Sequence, residues 1–145
     1  MNWLLETIEG AWLSPGGPFG ALIIKDDKLI ARGTNLVVPT CDPTAHAEIV
    51  AIRQSCQVLQ THDLTGCVMY ASCEPCPMCL AAILWANISK VYFAATRKDA
   101  ASIGFKDAVL HDLFQTPSLE MLVSAAGERN AAVAMMKSWK GEMYG

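Results

Sequence analysis

No apolar run in this chain approaches the roughly 18–20 residues that cross a bilayer. The longest, CLAAILWA at 79–86, suits a buried helix. Basic charge is also short: 11 Lys and Arg stand against 14 Asp and Glu, a formal net charge of −3. The only adjacent basic pair is Arg97-Lys98. A dedicated nucleic-acid binder shows a basic stripe or tail, so this balance weighs against long polyanionic partners. The opening MNWLLETIEG holds two glutamates and no basic region, which argues against a signal peptide. Repeats, low-complexity stretches and linkers are missing as well.

What is present fits one globular domain spanning 1–145, long enough to bury roughly two-thirds of its unfolded surface. Hydrophobic residues make up 52% and charged residues 17%, a balance that favours a packed core over disorder. Six cysteines (41, 56, 67, 73, 76 and 79) without a secretory signal read as reduced thiols or metal ligands. The expected location is the cytoplasm, where the sequon Asn87-Ile88-Ser89 has no bearing.

The spacing of apolar residues predicts a helix over 3–13, weakened by Gly10 and broken by Ser14-Pro15-Gly16-Gly17-Pro18. FGALIIK (19–25) and KLIARGTN (28–35) read as a β-hairpin turning at Asp26-Asp27. Asp42-Pro43 has the chemistry of a helix start, with TAHAEIVAIRQSCQVL following. CVMYAS (67–72) is a strand that runs into a cysteine loop. A helix from Pro77 to Ala86 and a buried strand, SKVYFAAT (89–96), come next. Residues 98–115 look helical in pieces, SLEMLVS (118–124) reads as a fifth strand, and 128–140 as a closing helix. Strands alternating with helices imply a sheet covered on both faces. The predicted fold is a three-layer α/β/α domain with a five-stranded mixed sheet.

The stretch CEPCPMC (73–79) carries three cysteines at a spacing of three. A redox pair, an iron–sulfur loop and a zinc site all use such runs. Cys76 and Cys79 open a helix, where free N–H groups and the helix dipole favour thiolates. A histidine on another element has to complete a catalytic zinc site, and His46 is the candidate. Two helix N-termini then converge on one ion. A thioredoxin-like motif lacks this histidine, and an iron–sulfur loop needs a fourth cysteine at suitable spacing. Cys73, three residues early at the end of a buried strand, reads as a packed thiol. Cys41, Cys56 and Cys67 read as core or surface thiols, and His62 and His111 as surface histidines.

His46-Ala47-Glu48 with Pro75-Cys76-Pro77-Met78-Cys79 matches the known zinc signature of nucleobase deaminases. Its physical sense is separable from the match. Three protein ligands leave zinc a position for water, whose proton is then lost near neutral pH. An unligated carboxylate, Glu48, is suited to carry that proton.

From the hairpin through residue 107 the chain resembles the cytidine deaminase-like superfamily and, within it, bacterial-type guanine deaminases. The matching text is GGPFGA (16–21), GTN (33–35), DPTAHAE (42–48), AIR (51–53), SCEPCPMC (72–79), Trp85-Ala86 and IGFKD (103–107). The resemblance implies that His46, Cys76 and Cys79 hold Zn2+ and that Glu48 shuttles protons. It implies that Asn35 reads a purine edge and that the Ala47 N–H contacts substrate near the reacting carbon. Phe19 and Trp85 become apolar walls, and Asp107 an acceptor for guanine N–H groups. It also implies a homodimer with exchanged C-terminal segments, in which Tyr144 touches the neighbour's substrate. Solvated or packed roles stand beside these: hairpin capping for Asn35, core for Phe19 and Trp85, a helix end for Asp107, a frayed tail for Tyr144. The resemblance fades beyond residue 108, so it assigns nothing to Glu128 or Glu142.

The expected activity is hydrolysis of guanine, a small-molecule purine base, to xanthine and ammonia. A tRNA adenosine deaminase shares DPTAHAE and the zinc signature but should carry basic surface for RNA. Other aminated rings such as ammeline or cytosine belong to the same chemistry, and a non-catalytic zinc scaffold would not need Glu48.

Overall fold

The structure, a computed structural model, describes residues 2–115 and 122–144; the side chains of Asp107 and Ala108 lie outside that description. Helix α1 (Trp3–Ala11) starts where the Asn2 side chain accepts the Leu5 N–H at 3.0 Å. Strands β1 (Gly20–Lys25) and β2 (Lys28–Thr34) form the hairpin. Asp26 and Asp27 both take left-handed backbone, φ 51° and 60°. Two consecutive residues of that kind make the tight turn whose twist matches the flanking strands.

A single turn, α2 (Val37–Thr40), leads to α3 (Ala47–Leu59), then β3 (Cys67–Cys73), α4 (Pro77–Trp85) and β4 (Lys90–Ala95). Three further helices follow: α5 (Arg97–Ser102), α6 (Asp107–Gln115) and α7 (Arg129–Lys137). The sheet runs β2-β1-β3-β4, with β1 antiparallel to both neighbours and β3 parallel to β4. Helix α4 is the crossover that a parallel pair requires.

Among the described residues the sheet has four strands, not the five expected. Residues 118–121 of the predicted fifth strand lie outside the described residues, and 122–124 carry no strand. A second boundary also moved. The helix expected from Asp42 begins at Ala47, because Asp42 Oδ1 accepts both the Thr44 N–H (2.8 Å) and its hydroxyl (2.6 Å). That closes a turn over residues 42–44 and hands the N-cap position to His46.

β1 is buried on both sides. A Cβ on Gly20 would meet the Thr7 carbonyl oxygen at 2.8 Å and the Ala11 nitrogen at 3.2 Å, so α1 covers one face. Alternation turns Ala21 and Ile23 to the other face, where they join Ala47, Ala51, Met69 and Ile83 in the core cluster. Helices α3 and α4 therefore share the face opposite α1.

Candidate metal and active site

Gly33 determines where α3 starts. Any Cβ there would overlap the Ala47 carbonyl oxygen and stand 2.7 Å from the Ala51 nitrogen. Only glycine lets the first turn of α3 lie this close to β2, and that turn carries His46, Ala47 and Glu48. Gly16 and Gly17 do the same for Asn35: a Cβ on Gly17 would come within 3.3 Å of its amide nitrogen, and Gly17 sits at φ +154°.

His46 and Cys76 are each the N-cap of their helix, with nearly equal backbone angles: φ −64°, ψ 156° and φ −67°, ψ 167°. Neither side chain caps its own helix. Pro77 at the first helical position fixes α4, since its missing N–H costs nothing there. Cys79 then projects from the first turn, three residues after Cys76. The two helix starts meet: His46 Nδ1 lies 3.6 Å from Cys76 Sγ and 3.6 Å from Cys79 Sγ. The three potential donor atoms all lie within 4.8 Å of one another. A tetrahedral zinc with Zn–N of about 2.0 Å and Zn–S of about 2.3 Å puts nitrogen and sulfur about 3.5 Å apart. Donor type and spacing both fit.

The electrostatics point the same way. The hydrogen bond from Cys79 pulls the Cys76 thiol down to about 4, and His46 adds to the effect. Cys79 is pushed up by that shared bond, by burial and by the neighbouring Glu48 carboxylate. The two sulfurs share a hydrogen bond in a site buried to 2% and 0% exposure. A dication is the natural partner for such a pair, because ligation needs both thiols deprotonated. Glu48, in the first turn of α3 and 8% exposed, is not in the ligand triad. Burial pushes its carboxyl up to about 7, a range suited to proton exchange near neutral pH.

A narrow cleft beside this cluster is lined by Phe19, Asn35, His46, Glu48, Cys73 and Glu74. Asn35 is buried, and its Oδ1 accepts the Val37 N–H at 3.0 Å, closing a turn just before α2. Its Nδ2 donates to no described residue. Ala47 is the first residue of α3, where a helix N–H has no intrahelical acceptor. The ring of Phe19 meets Phe105 edge to face at 4.8 Å between centroids.

Trp85 and Tyr144 are not brought to this cleft. Trp85 ends α4, eight residues after Pro77 and so about 12 Å along the axis. It is 61% exposed and packs against Tyr144 at 5.7 Å, in a groove shared with Ile49, Arg53, His62 and Glu142. Asp107 is the first residue of α6, and its side chain lies outside the described residues.

The sequence reading missed two members of the cleft. Cys73 is buried as expected, yet it also forms part of the wall. Glu74, in the same signature loop, had been given no role. Its position two residues before the ligand Cys76 was the available signal.

A sheet flanked by helices, with two helix starts presenting His and two Cys and a buried carboxylate alongside, defines a zinc-dependent deaminase. Comparison with known proteins narrows this. Residues 1–95 match the cytidine and deoxycytidylate deaminase zinc-binding region, and the chain belongs to that family. It is 49% identical over 115 residues to the guanine deaminase of Bacillus subtilis (strain 168), which covers 79% of this chain and 74% of that one. The X-ray structure of guanine deaminase from Bacillus subtilis superposes with a TM-score of 0.86, at 40% identity over 99% of each chain. The tRNA-specific adenosine deaminase of Aquifex aeolicus (strain VF5) is 44% identical over 81 residues, 56% of this chain and 54% of that one. The chain is thus a zinc aminohydrolase of the deaminase family.

Proposed function

We propose that the protein deaminates guanine to xanthine and ammonia. The observation that carries this reading is the near-complete superposition on a guanine deaminase, at 99% of each chain, with Glu48 and His46 lining one cleft and Cys76 and Cys79 grouped with His46.

His46, Cys76 and Cys79 would hold the zinc. Bound there, the ion supplies Lewis acidity that brings proton loss from water into the neutral range. The remaining work falls to the chain. Glu48 takes one proton as the water oxygen bonds to C2 and passes it to N3, then takes the second from the new C2 hydroxyl and gives it to the amine as the C–N bond breaks and the C2 carbonyl forms. Its elevated pKa suits both directions of transfer. The Asn35 Nδ2 donates to an acceptor on the purine edge, Phe19 lies against the flat ring, and the Ala47 N–H contacts the reacting region. Asp107, an acceptor-only carboxylate, receives guanine N–H groups. Trp85 is left out of these contacts by its distance along α4.

The assembly proposed is a homodimer that exchanges C-terminal segments, carrying Tyr144 to the neighbour's cleft. Support comes from exposed apolar side chains on α7 and just beyond it, Met135, Met136 and Trp139, each more than 60% exposed. Tyr92 and Phe93 on the edge strand β4 are also exposed. A cytoplasmic setting fits the six free cysteines, and no described helix is long and apolar enough to cross a membrane.

The test is ammonia release by zinc-loaded protein over guanine, adenine, cytosine, ammeline and an adenosine-containing anticodon stem-loop. Turnover of guanine and none of the others supports the proposal. Turnover of the stem-loop alone assigns the chain to tRNA editing, the reading favoured by the Aquifex aeolicus match.

A further inference from the structure

Three described pairs join an arginine to a carboxylate, and Arg97–Glu74 is the least exposed. Its side chains are 19% and 25% exposed, against 56% and 28% for Arg32–Glu6 and 57% and 35% for Arg53–Asp42. Glu74 sits between the end of β3 and the metal loop. Its backbone N–H donates to the Ala95 carbonyl at 2.8 Å, extending the β3–β4 ladder by one step. Its carboxylate is held twice by one residue: Oε1 accepts the Arg97 backbone N–H at 3.1 Å, and Oε2 pairs with Arg97 Nη1 at 3.0 Å.

The same guanidinium reaches one residue further. Arg97 Nη2 donates to the Pro75 carbonyl at 3.3 Å, immediately before the ligand Cys76. Arg97 is itself fixed by the start of α5. There Thr96 and Asp99 form a capping box, with the Thr96 N–H donating to Asp99 Oδ2 at 2.8 Å and the Asp99 N–H to Thr96 Oγ1 at 3.2 Å. A rigid helix start therefore grips both residues that lead into Cys76. The Arg97 Nε–H is buried with no partner among the described residues. An orphaned donor of this kind disfavours folding, and a partly buried ion pair is weak support for stability. The arrangement serves geometry better than it serves stability.

We propose that Arg97 is a positioning residue that, with Glu74, braces the Pro75 carbonyl and sets where Cys76 Sγ stands, and so the zinc affinity of the site. The inference rests on the zinc reading of His46, Cys76 and Cys79. Groups one shell beyond a metal's ligands change affinity by about 10–100-fold when removed. Lysine is a partial substitute only, since one ammonium lacks the planar fork that reaches a carboxylate and a carbonyl together.

The experiment measures zinc affinity by competition with a chromophoric chelator and records the visible spectrum of the cobalt(II)-substituted protein. Parent, Arg97→Met, Arg97→Lys, Glu74→Gln and the control Arg32→Met are compared, with thermal melts of each metal-free protein. Arg97→Met should weaken zinc binding about 10–100-fold and shift the cobalt bands. Arg97→Lys should recover part of the loss. Arg32→Met, on the opposite edge strand β2, should leave both readouts at parent values. Should Arg97→Met fail to fold, Glu74→Gln, which keeps shape and removes charge, carries the test with a smaller loss. Zinc binding at parent strength with an unshifted cobalt spectrum overturns the brace, as does an equal loss in Arg32→Met. A parent that takes up no zinc refutes the metal site itself.

Discussion

The α3–α4 pair has two sides that could hardly differ more. On one, His46, Glu48, Cys76 and Cys79 are gathered within a few ångströms, and the last three are nearly inaccessible to solvent. On the other, Trp85, His62, Glu142 and Tyr144 line a shallow groove in which Trp85 and Tyr144 are more than 60% exposed. The first side is built at helix starts, where an N-cap residue has its direction set by two or three local backbone angles. The second is built at the end of a helix and in a tail, where a side chain's neighbours arrive from distant sequence. Catalytic geometry is local here; aromatic contacts around it are not.

The comparison can be broken most decisively at His46. His46→Ala should lose zinc, read by elemental analysis, and all turnover with it; retained metal would move the ligand set elsewhere. Glu48→Gln separates binding from chemistry: zinc should stay near one per chain while turnover falls by about 10²–10⁴-fold. Brisk ammonia release from that variant would remove Glu48 from the mechanism. Gly33→Ala tests whether closeness of α3 to β2 is what seats the triad. Overpacking of this kind costs about 1–3 kcal/mol, which calorimetry should record as a lower melting temperature, with weaker zinc uptake. Tyr144→Ala probes the open side and should do least. It should spare zinc and fold and lower kcat/KM by no more than about tenfold, in line with an aromatic pair worth about 0.5–1.5 kcal/mol. A larger loss would show the tail to be as integral as the triad.

The same division explains what could be read without coordinates. The triad, Glu48 and the hairpin at Asp26-Asp27 were legible because each is a short-range pattern with one physical solution. The start of α3 was not, because Asp42 had two uses, helix cap or turn closure, and its bonds to Thr44 selected the turn. Cys73 looked like a packed thiol and is one; that it also walls the cleft follows from Ala71, Ser72 and Cys73 all being buried, which hides any alternation. The Glu74–Arg97 contact spans 23 residues and left no local trace. The expected fifth strand rested on SLEMLVS alone, an apolar run with no pairing partner visible in sequence.

One feature of the metal site also concerns the unfolded chain. Cys76 lies 30 residues from His46 along the backbone, and that interval holds α3 and the whole of β3. An ion joining the two fastens both ends of it, as a cross-link would. By the chain-entropy relation used for disulfides, closing a loop of that length restricts the unfolded ensemble by roughly 3–4 kcal/mol. The deaminase centre is therefore also a clasp, and a chelator should loosen the whole domain as well as silence it.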